Sequence, residues 1–327
     1  MTPPTRETTL TPVRCATLRS RAGLEVDIVD YGASIAAIRV PVAGRSVNTV
    51  LTYPALEDYR LNRDSLGATV GRYANRIANG RLRIDGSDHE LDTHPSHCLH
   101  GGPEGFHAQR WTMDVEPARI RCRLVSPHGD QGFPGRVDVR VDYRFVNESA
   151  LLIDYVATSD RATVVNLANH AYFNLDGDGG SIEEHLLRLK ASRFTPSDRD
   201  LIPTGEILSV ENTEWDFRDP ATLRDRLGRH GIDTNFVIDN AAGVMREAAM
   251  LRSPKTGIRL SVQTTQPGLQ VYTAEQLGLP FAPRAAICLE AQNFPDAPNQ
   301  AAFPDAVLTA GETYRQRTVY EYSVERA

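Results

Sequence analysis

Cysteine is scarce in this chain: Cys15, Cys98, Cys122 and Cys288 are its only four in 327 residues, and none share a CxxC spacing. Such scatter indicates neither a disulfide framework nor a cysteine zinc site, and it suits a reducing compartment. No stretch approaches the ~18 consecutive apolar residues of a membrane span. The opening MTPPTRETTLTPV has no apolar core of a secretory signal, so a cytoplasmic location is expected. Positive charge is in deficit, with 36 Lys and Arg against 42 Asp and Glu and a net charge of −6. That balance argues against a nucleic-acid or anionic-membrane partner, because phosphate binding needs a basic surface. Gly-x-Ser-x-Gly is absent, which removes the usual serine-hydrolase signal. Gly177-Asp178-Gly179-Gly180 lacks the strand–turn–helix context of a phosphate loop and reads as turns. No repeat, low-complexity tract or Pro/Ser-rich linker divides the chain. Helical periodicity is confined to 55–60 and 220–227, the second with Pro220 in its first turn and Leu223 and Leu227 four apart.

What the chain has in abundance is period-two alternation. Leu24, Val26 and Ile28 alternate with Glu25 and Asp27, and Ile38, Val40 and Val42 repeat the pattern. Ile120, Cys122 and Leu124 alternate with arginines, Val137 to Phe145 with charged residues, and Leu151, Ile153 and Tyr155 follow. Each segment reads as a half-buried antiparallel strand. Asn79-Gly80 is a hairpin signal between Ile77 and Leu82, and Asp85-Gly86 marks another turn. The expectation is one all-β domain, a large antiparallel β-sandwich over 13–327, with residues 1–12 disordered.

One carboxylate stands out. Glu290 follows Ala285-Ala286-Ile287-Cys288-Leu289, a buried-strand composition, and a carboxylate there costs several kcal/mol unless paired, hydrogen-bonded or protonated. Strand alternation puts Cys288, Glu290 and Gln292 on one face and Ile287, Leu289 and Ala291 on the other. Read as a strand, 164–174 puts Asn166, Ala168, His170, Tyr172 and Asn174 together on a polar face with Val165, Leu167, Ala171 and Phe173 opposite. Two polar faces carrying a carboxylate, an imidazole and amides suit a hydroxyl-rich ligand. The residues alone leave other readings open: Glu290 in a structural ion pair with Arg76 or Arg72, His170 as a hydrogen-bonded structural histidine, Asp233 as a turn cap. His94, His97 and His100 beside Cys98 invite a metal reading. Their spacing is not a recognised zinc pattern and they lie in a Pro/Gly/Ser loop, so no metal is expected.

Five segments in order resemble the aldose 1-epimerases. They are Gly71-Arg72-x-Ala74-Asn75-Arg76-Ile77, Leu99-His100-Gly101-Gly102, Asn169-His170-x-Tyr172-Phe173-Asn174-Leu175, Pro267-Gly268-x-Gln270-x-Tyr272-Thr273 and Leu289-Glu290-x-Gln292-Asn293-x-Pro295-Asp296. The resemblance covers nearly the whole chain. It implies the sandwich fold, Glu290 as catalytic base and His170 as catalytic acid. It implies sugar contacts from Asn75, Arg76, His100, Asp233 and Gln270, with a monosaccharide as partner and no cofactor. Two positions depart from the family pattern, Thr234 where His is usual and Ala274-Glu275 after Tyr-Thr.

By this resemblance the reaction is interconversion of α and β anomers of an aldohexose such as glucose or galactose. A glutamate near its ordinary pKa would serve as base and a histidine held near neutrality by carboxylates as acid. Rival readings are a hexose-6-phosphate epimerase, for which only Arg72 and Arg76 offer positive charge, and a non-catalytic sugar binder. A glycoside hydrolase would need a second carboxylate beyond Glu290, with Asp233 the remaining candidate. A monomer or homodimer is expected.

Overall fold

The alternating segments become the long strands of the protein. In the computed structural model, which describes residues 11–228 and 230–325, the largest sheet has nine strands. Their order is Thr112–Glu116, Arg119–Ser126, Val137–Asn147, Ala150–Ser159, Thr313–Val324, Ile258–Thr264, Arg246–Arg252, Leu186–Leu189 and Ala221–Thr222. A six-stranded sheet runs Tyr172–Phe173, Ile287–Gln292, Gly268–Tyr272, Asp233–Val237, Arg193–Thr195, Leu208–Ser209. A four-stranded sheet joins Cys15–Arg19, Glu25–Val29, Ser34–Val42 and Arg45–Asn48 in chain order. Neighbouring strands in all three are antiparallel. The all-β sandwich expected from the pattern is the observed architecture.

One apolar core joins the three sheets. Val141 and Ile153 come from the nine-stranded sheet, Val26 and Ile35 from the four-stranded one, and Phe236, Val271 and Leu289 from the six-stranded one. Turning Leu289 and Val271 inward sends Glu290 and Gln270 to the other face of the six-stranded sheet. A one-residue slip would exchange the two faces, and each leucine or phenylalanine expelled from the core would cost about 1.5–3 kcal/mol. The register that fills the core is therefore the register that builds the polar face.

Three local expectations need correction. Asn79-Gly80 does not close a hairpin, because Arg76–Ile77 pairs with Cys98–Leu99 whereas Arg81–Ile84 pairs with Ser87–Glu90. The hairpin is closed by Asp85 and Gly86, at φ 50° and 79°, the two positive values of a type I′ turn. The segment 55–60 forms a 3-10 helix over Leu56–Arg60, and 220–227 supplies only the single turn Leu223–Arg226. Pro220 precedes that turn by three residues, since Ala221–Thr222 is recruited as an edge strand of the nine-stranded sheet. Of the twelve N-terminal residues expected to be disordered, 1–10 lie outside the described residues. The carbonyls of Thr11 and Pro12 accept hydrogen bonds from the Arg110 guanidinium at 3.2 and 2.8 Å.

Candidate active site

The outer face of the six-stranded sheet carries a polar row. Thr195 lies opposite Asn235, Asn235 opposite Gln270, and Gln270 opposite Glu290, one residue from each of four adjacent strands. Glu290 is 2% exposed. Gln270 donates through Nε2 to Asp233 Oδ1 at 2.6 Å. Three acceptors in this row, Asn235 Oδ1, Gln270 Oε1 and Glu290 Oε2, have no hydrogen-bond partner. Buried acceptors rarely stay empty, so hydroxyl donors are what the face is built to receive.

His170 reaches the same place by a different route from the one expected. The segment 164–174 is three short strands, Thr163–Val164, Ala168–Asn169 and Tyr172–Phe173, rather than one. The segment changes partner twice, pairing with Val307–Leu308, then Thr69–Val70, then Ile287 and Cys288, and His170 occupies the second break. The faces survive the break: Val165, Leu167 and Phe173 enter the core while His170 and Tyr172 line the site. His170 Nε2 lies 3.6 Å from Glu290 Oε1. Its ring lies 4.9 Å from that of Tyr172, and the edge-on His100 ring is 5.1 Å away.

Two loops close the site. Asn75 and His100 both take left-handed backbone, at φ 64° and 52°. They lock together, the Asn75 N–H donating to His100 Nδ1 at 3.2 Å and the His100 N–H donating to the Asn75 carbonyl at 3.0 Å. Gly101 makes this approach possible: at φ 86°, a Cβ there would lie 1.9 Å from the Gly71 carbonyl oxygen. Arg72, one of the two partners considered for Glu290, is elsewhere. Its buried guanidinium donates to Ser126 Oγ and to the carbonyls of Ser126, Pro127, Pro134 and Gly135. Arg76 lines the site and reaches Glu290 as a nearby charge.

The resulting cavity, about 200 Å³, is lined by Asn75, Arg76, His100, His170, Asp233 and Glu290. Those are six of the seven residues the sequence singled out; the seventh, Gln270, lines an adjoining recess with Arg76 and Asp233. The cavity also takes in Arg63, Asp64, Ser65, Tyr172 and Tyr272. Tyr172 was within reach of sequence reasoning, two residues from His170 on the same face. Arg63 to Ser65 were not, because they lie in a loop without periodicity. His94 is exposed, and His97 accepts from the Asn79 N–H at 2.9 Å, so of that trio only His100 lines the cavity. A larger groove of about 850 Å³ holds Gln266, Tyr314 and Gln316. Those side chains are already bonded to one another, Gln266 to the Tyr314 hydroxyl at 3.1 Å and that hydroxyl to Gln316 Oε1 at 2.5 Å.

Electrostatics overturn the expected protonation states. Burial, reinforced by the charge of Asp233, pushes the Glu290 carboxyl well above its usual range, against a smaller opposing pull from Arg76. Burial also pulls His170 down to about 4, despite a stabilising hydrogen bond from the ring to its own backbone carbonyl. The expectation of an ordinary glutamate beside a near-neutral histidine ignored how dry the site is; desolvation favours the uncharged form of both. His100 is lowered by burial and by His170, and Asp233 is raised by burial. His100, His170 and Glu290 bring ligand-type atoms within 4.8 Å of one another. With the Asn75 N–H on its Nδ1, however, neutral His100 carries its proton on Nε2. That nitrogen presents a hydrogen-bond donor, which suits a sugar oxygen rather than a metal ion.

The site is thus a buried carboxylate–imidazole pair on an amide-rich face of a large antiparallel sandwich. Comparison with known proteins gives the family. The aldose 1-epimerase family model matches residues 14–321. Mouse galactose mutarotase (Mus musculus) is 39% identical over 315 residues, 92% of each chain. The aldose 1-epimerase of Escherichia coli (strain K12) is 36% identical over 333 aligned positions, 96% of each. An aldose epimerase homologue from C. elegans superposes with a TM-score of 0.90 at 30% identity, covering 96% of this chain and 100% of that one. The chain belongs to the aldose 1-epimerase family and is an isomerase.

Proposed function

We propose that this protein interconverts the α and β anomers of a free aldohexose, glucose or galactose, with Glu290 as base and His170 as acid. The observation that carries the assignment of roles is the 3.6 Å approach of His170 Nε2 to Glu290 Oε1 inside a cavity whose remaining walls are hydrogen-bonding groups. Glu290 takes the proton of the C1 hydroxyl while His170 Nε2–H protonates the ring oxygen. The C1–O5 bond breaks, C1=O1 forms, and rotation about C1–C2 presents the other face of the aldehyde. Closure returns both protons. Each positioned transfer contributes roughly 10²–10⁴-fold.

Asn75, Arg76, His100, Asp233 and Gln270 hold the sugar, with unpartnered Gln270 Oε1 accepting from a hydroxyl. The phosphate-bearing rival is weakened, because Arg72 is committed to backbone carbonyls. No helix among the described residues is long and apolar enough to cross a membrane. Four unpaired cysteines support a reducing, cytoplasmic setting, and the protein is read as a single domain acting as a monomer or homodimer.

The test is polarimetry of freshly dissolved α-D-glucose and α-D-galactose with catalytic amounts of protein. Anomer equilibration faster than the spontaneous rate is expected for at least one sugar. Spontaneous rates with both sugars, and with other aldoses, would end this reading.

A further inference from the structure

His170 can work only if the correct nitrogen faces the sugar. A neutral imidazole has two tautomers, and the one with its proton on Nδ1 leaves Nε2 free to exchange a proton beside Glu290. The Nδ1 side of the ring therefore needs an acceptor. The His170 backbone carbonyl meets part of that need, and among the described residues the side-chain atom that faces Nδ1 is the sulfur of Cys288, at 3.5 Å. Cys288 is fully buried on the Glu290 strand, directly opposite Tyr172, whose ring packs on His170.

We propose that Cys288 is a positioning residue for the anomer reaction: its buried thiol shares the Nδ1–H of His170 with the residue's own carbonyl and so helps commit Nε2 to the sugar. The inference rests on His170 being the acid. Chemistry explains why a thiol suits the position. A carboxylate at Nδ1, as in hydrolase triads, holds the ring but also stabilises the imidazolium and weakens it as an acid. A sulfur is a weak acceptor, and burial keeps this thiol protonated and uncharged. The ring is oriented while its positive form gains no ion pair on that side, leaving it ready to give up the Nε2 proton.

Cys288 also fills space among Leu51, Leu66, Tyr172 and Ala285, so loss of activity alone would not separate orienting from packing. The measurement that does is ¹⁵N NMR of the His170 ring, in which two-bond couplings report which nitrogen bears the proton. Wild type at neutral pH is expected to show Nδ1–H; an Nε2–H tautomer overturns the proposal without any variant. Cys288→Val keeps the volume and removes the acceptor. Its kcat is expected to fall roughly 10- to 100-fold, the usual cost of losing a supporting contact to a working histidine, with KM within about twofold. Its ring is expected to show a mixed or inverted tautomer, and Cys288→Ser to recover part of both properties. Wild-type kcat and an unchanged tautomer in Cys288→Val would refute the role. Anomer equilibration by wild type, measured on the same sample, tests the assignment of the reaction separately.

Discussion

Replacing Glu290 with glutamine should move activity and stability in opposite directions. The amide has the same shape and can still occupy the polar row, but it cannot take a proton. Losing one positioned proton transfer costs roughly 10²–10⁴-fold, or about 3–5 kcal/mol of barrier. Polarimetry should therefore show kcat for Glu290→Gln reduced at least a hundredfold, with KM changed little. Stability follows from where the proton sits. Burial holds the folded-state pKa of Glu290 well above the unfolded value of about 4.3. Between those two values the folded chain binds more protons than the unfolded chain, so this group's contribution falls as pH rises through the window, by at most about 1.4 kcal/mol per pH unit. Attraction from Arg76 opposes the effect but ranks below desolvation and the repulsion from Asp233. Glutamine carries no such penalty. Thermal melts should place Glu290→Gln level with wild type near pH 4 and above it at pH 8. Activity within tenfold of wild type would refute the base assignment. A variant less stable than wild type at pH 8, by a margin that shrinks toward pH 4, would show that Glu290 is held by an ion pair rather than strained by burial.

The remaining expectations concern the neighbours. His170 has the reverse linkage: its folded pKa of about 4 lies below the unfolded value near 6.5. The unfolded chain therefore binds the extra proton between them, and His170→Asn should gain stability relative to wild type at pH 5 but not at pH 8, read by calorimetry. Because burial lowers the imidazole while it raises the carboxyl, the pair takes up a second proton only near pH 4. A profile of kcat should accordingly fall on acidification only near pH 4, and an acid limb that begins near pH 6.5 would refute it. Gln270→Ala removes the donor to Asp233 and one sugar acceptor. Steady-state polarimetry should show kcat/KM lower by roughly 10–100-fold, chiefly through KM, from losing about 1–3 kcal/mol of hydrogen bonding. Gly101→Ala meets the Gly71 carbonyl oxygen at 1.9 Å from left-handed backbone. It should cost more than about 1 kcal/mol in denaturant unfolding and weaken sugar binding through displaced His100.

Glu290 was legible because strand alternation is local: Leu289 and Glu290 cannot share a face, and the core claims Leu289. His170 was legible for the same reason even though its strand is broken, since Val165, Leu167 and Phe173 keep the parity of the segment on both sides of the break. Asn79-Gly80 misled because turn chemistry says that a chain can reverse, while the pairing of the flanking strands is decided by distant Cys98 and Ser87. Arg63, Asp64 and Ser65 enter the cavity from a loop whose position depends on contacts such as the Tyr172 hydroxyl donating to the Asp64 carbonyl at 3.0 Å. Protonation was the least legible, because desolvation depends on every wall of the site at once. It also makes the chemistry more specific. Opening the ring leaves Glu290 protonated and His170 neutral, and that uncharged pair is the state burial favours. The closed sugar instead requires a carboxylate facing an imidazolium, which the dry site disfavours until sugar hydroxyls and Arg76 lie against it. The site thus favours the proton arrangement of the open aldehyde over that of either anomer, and a transition state in which both protons are part-way across shares in that stabilisation.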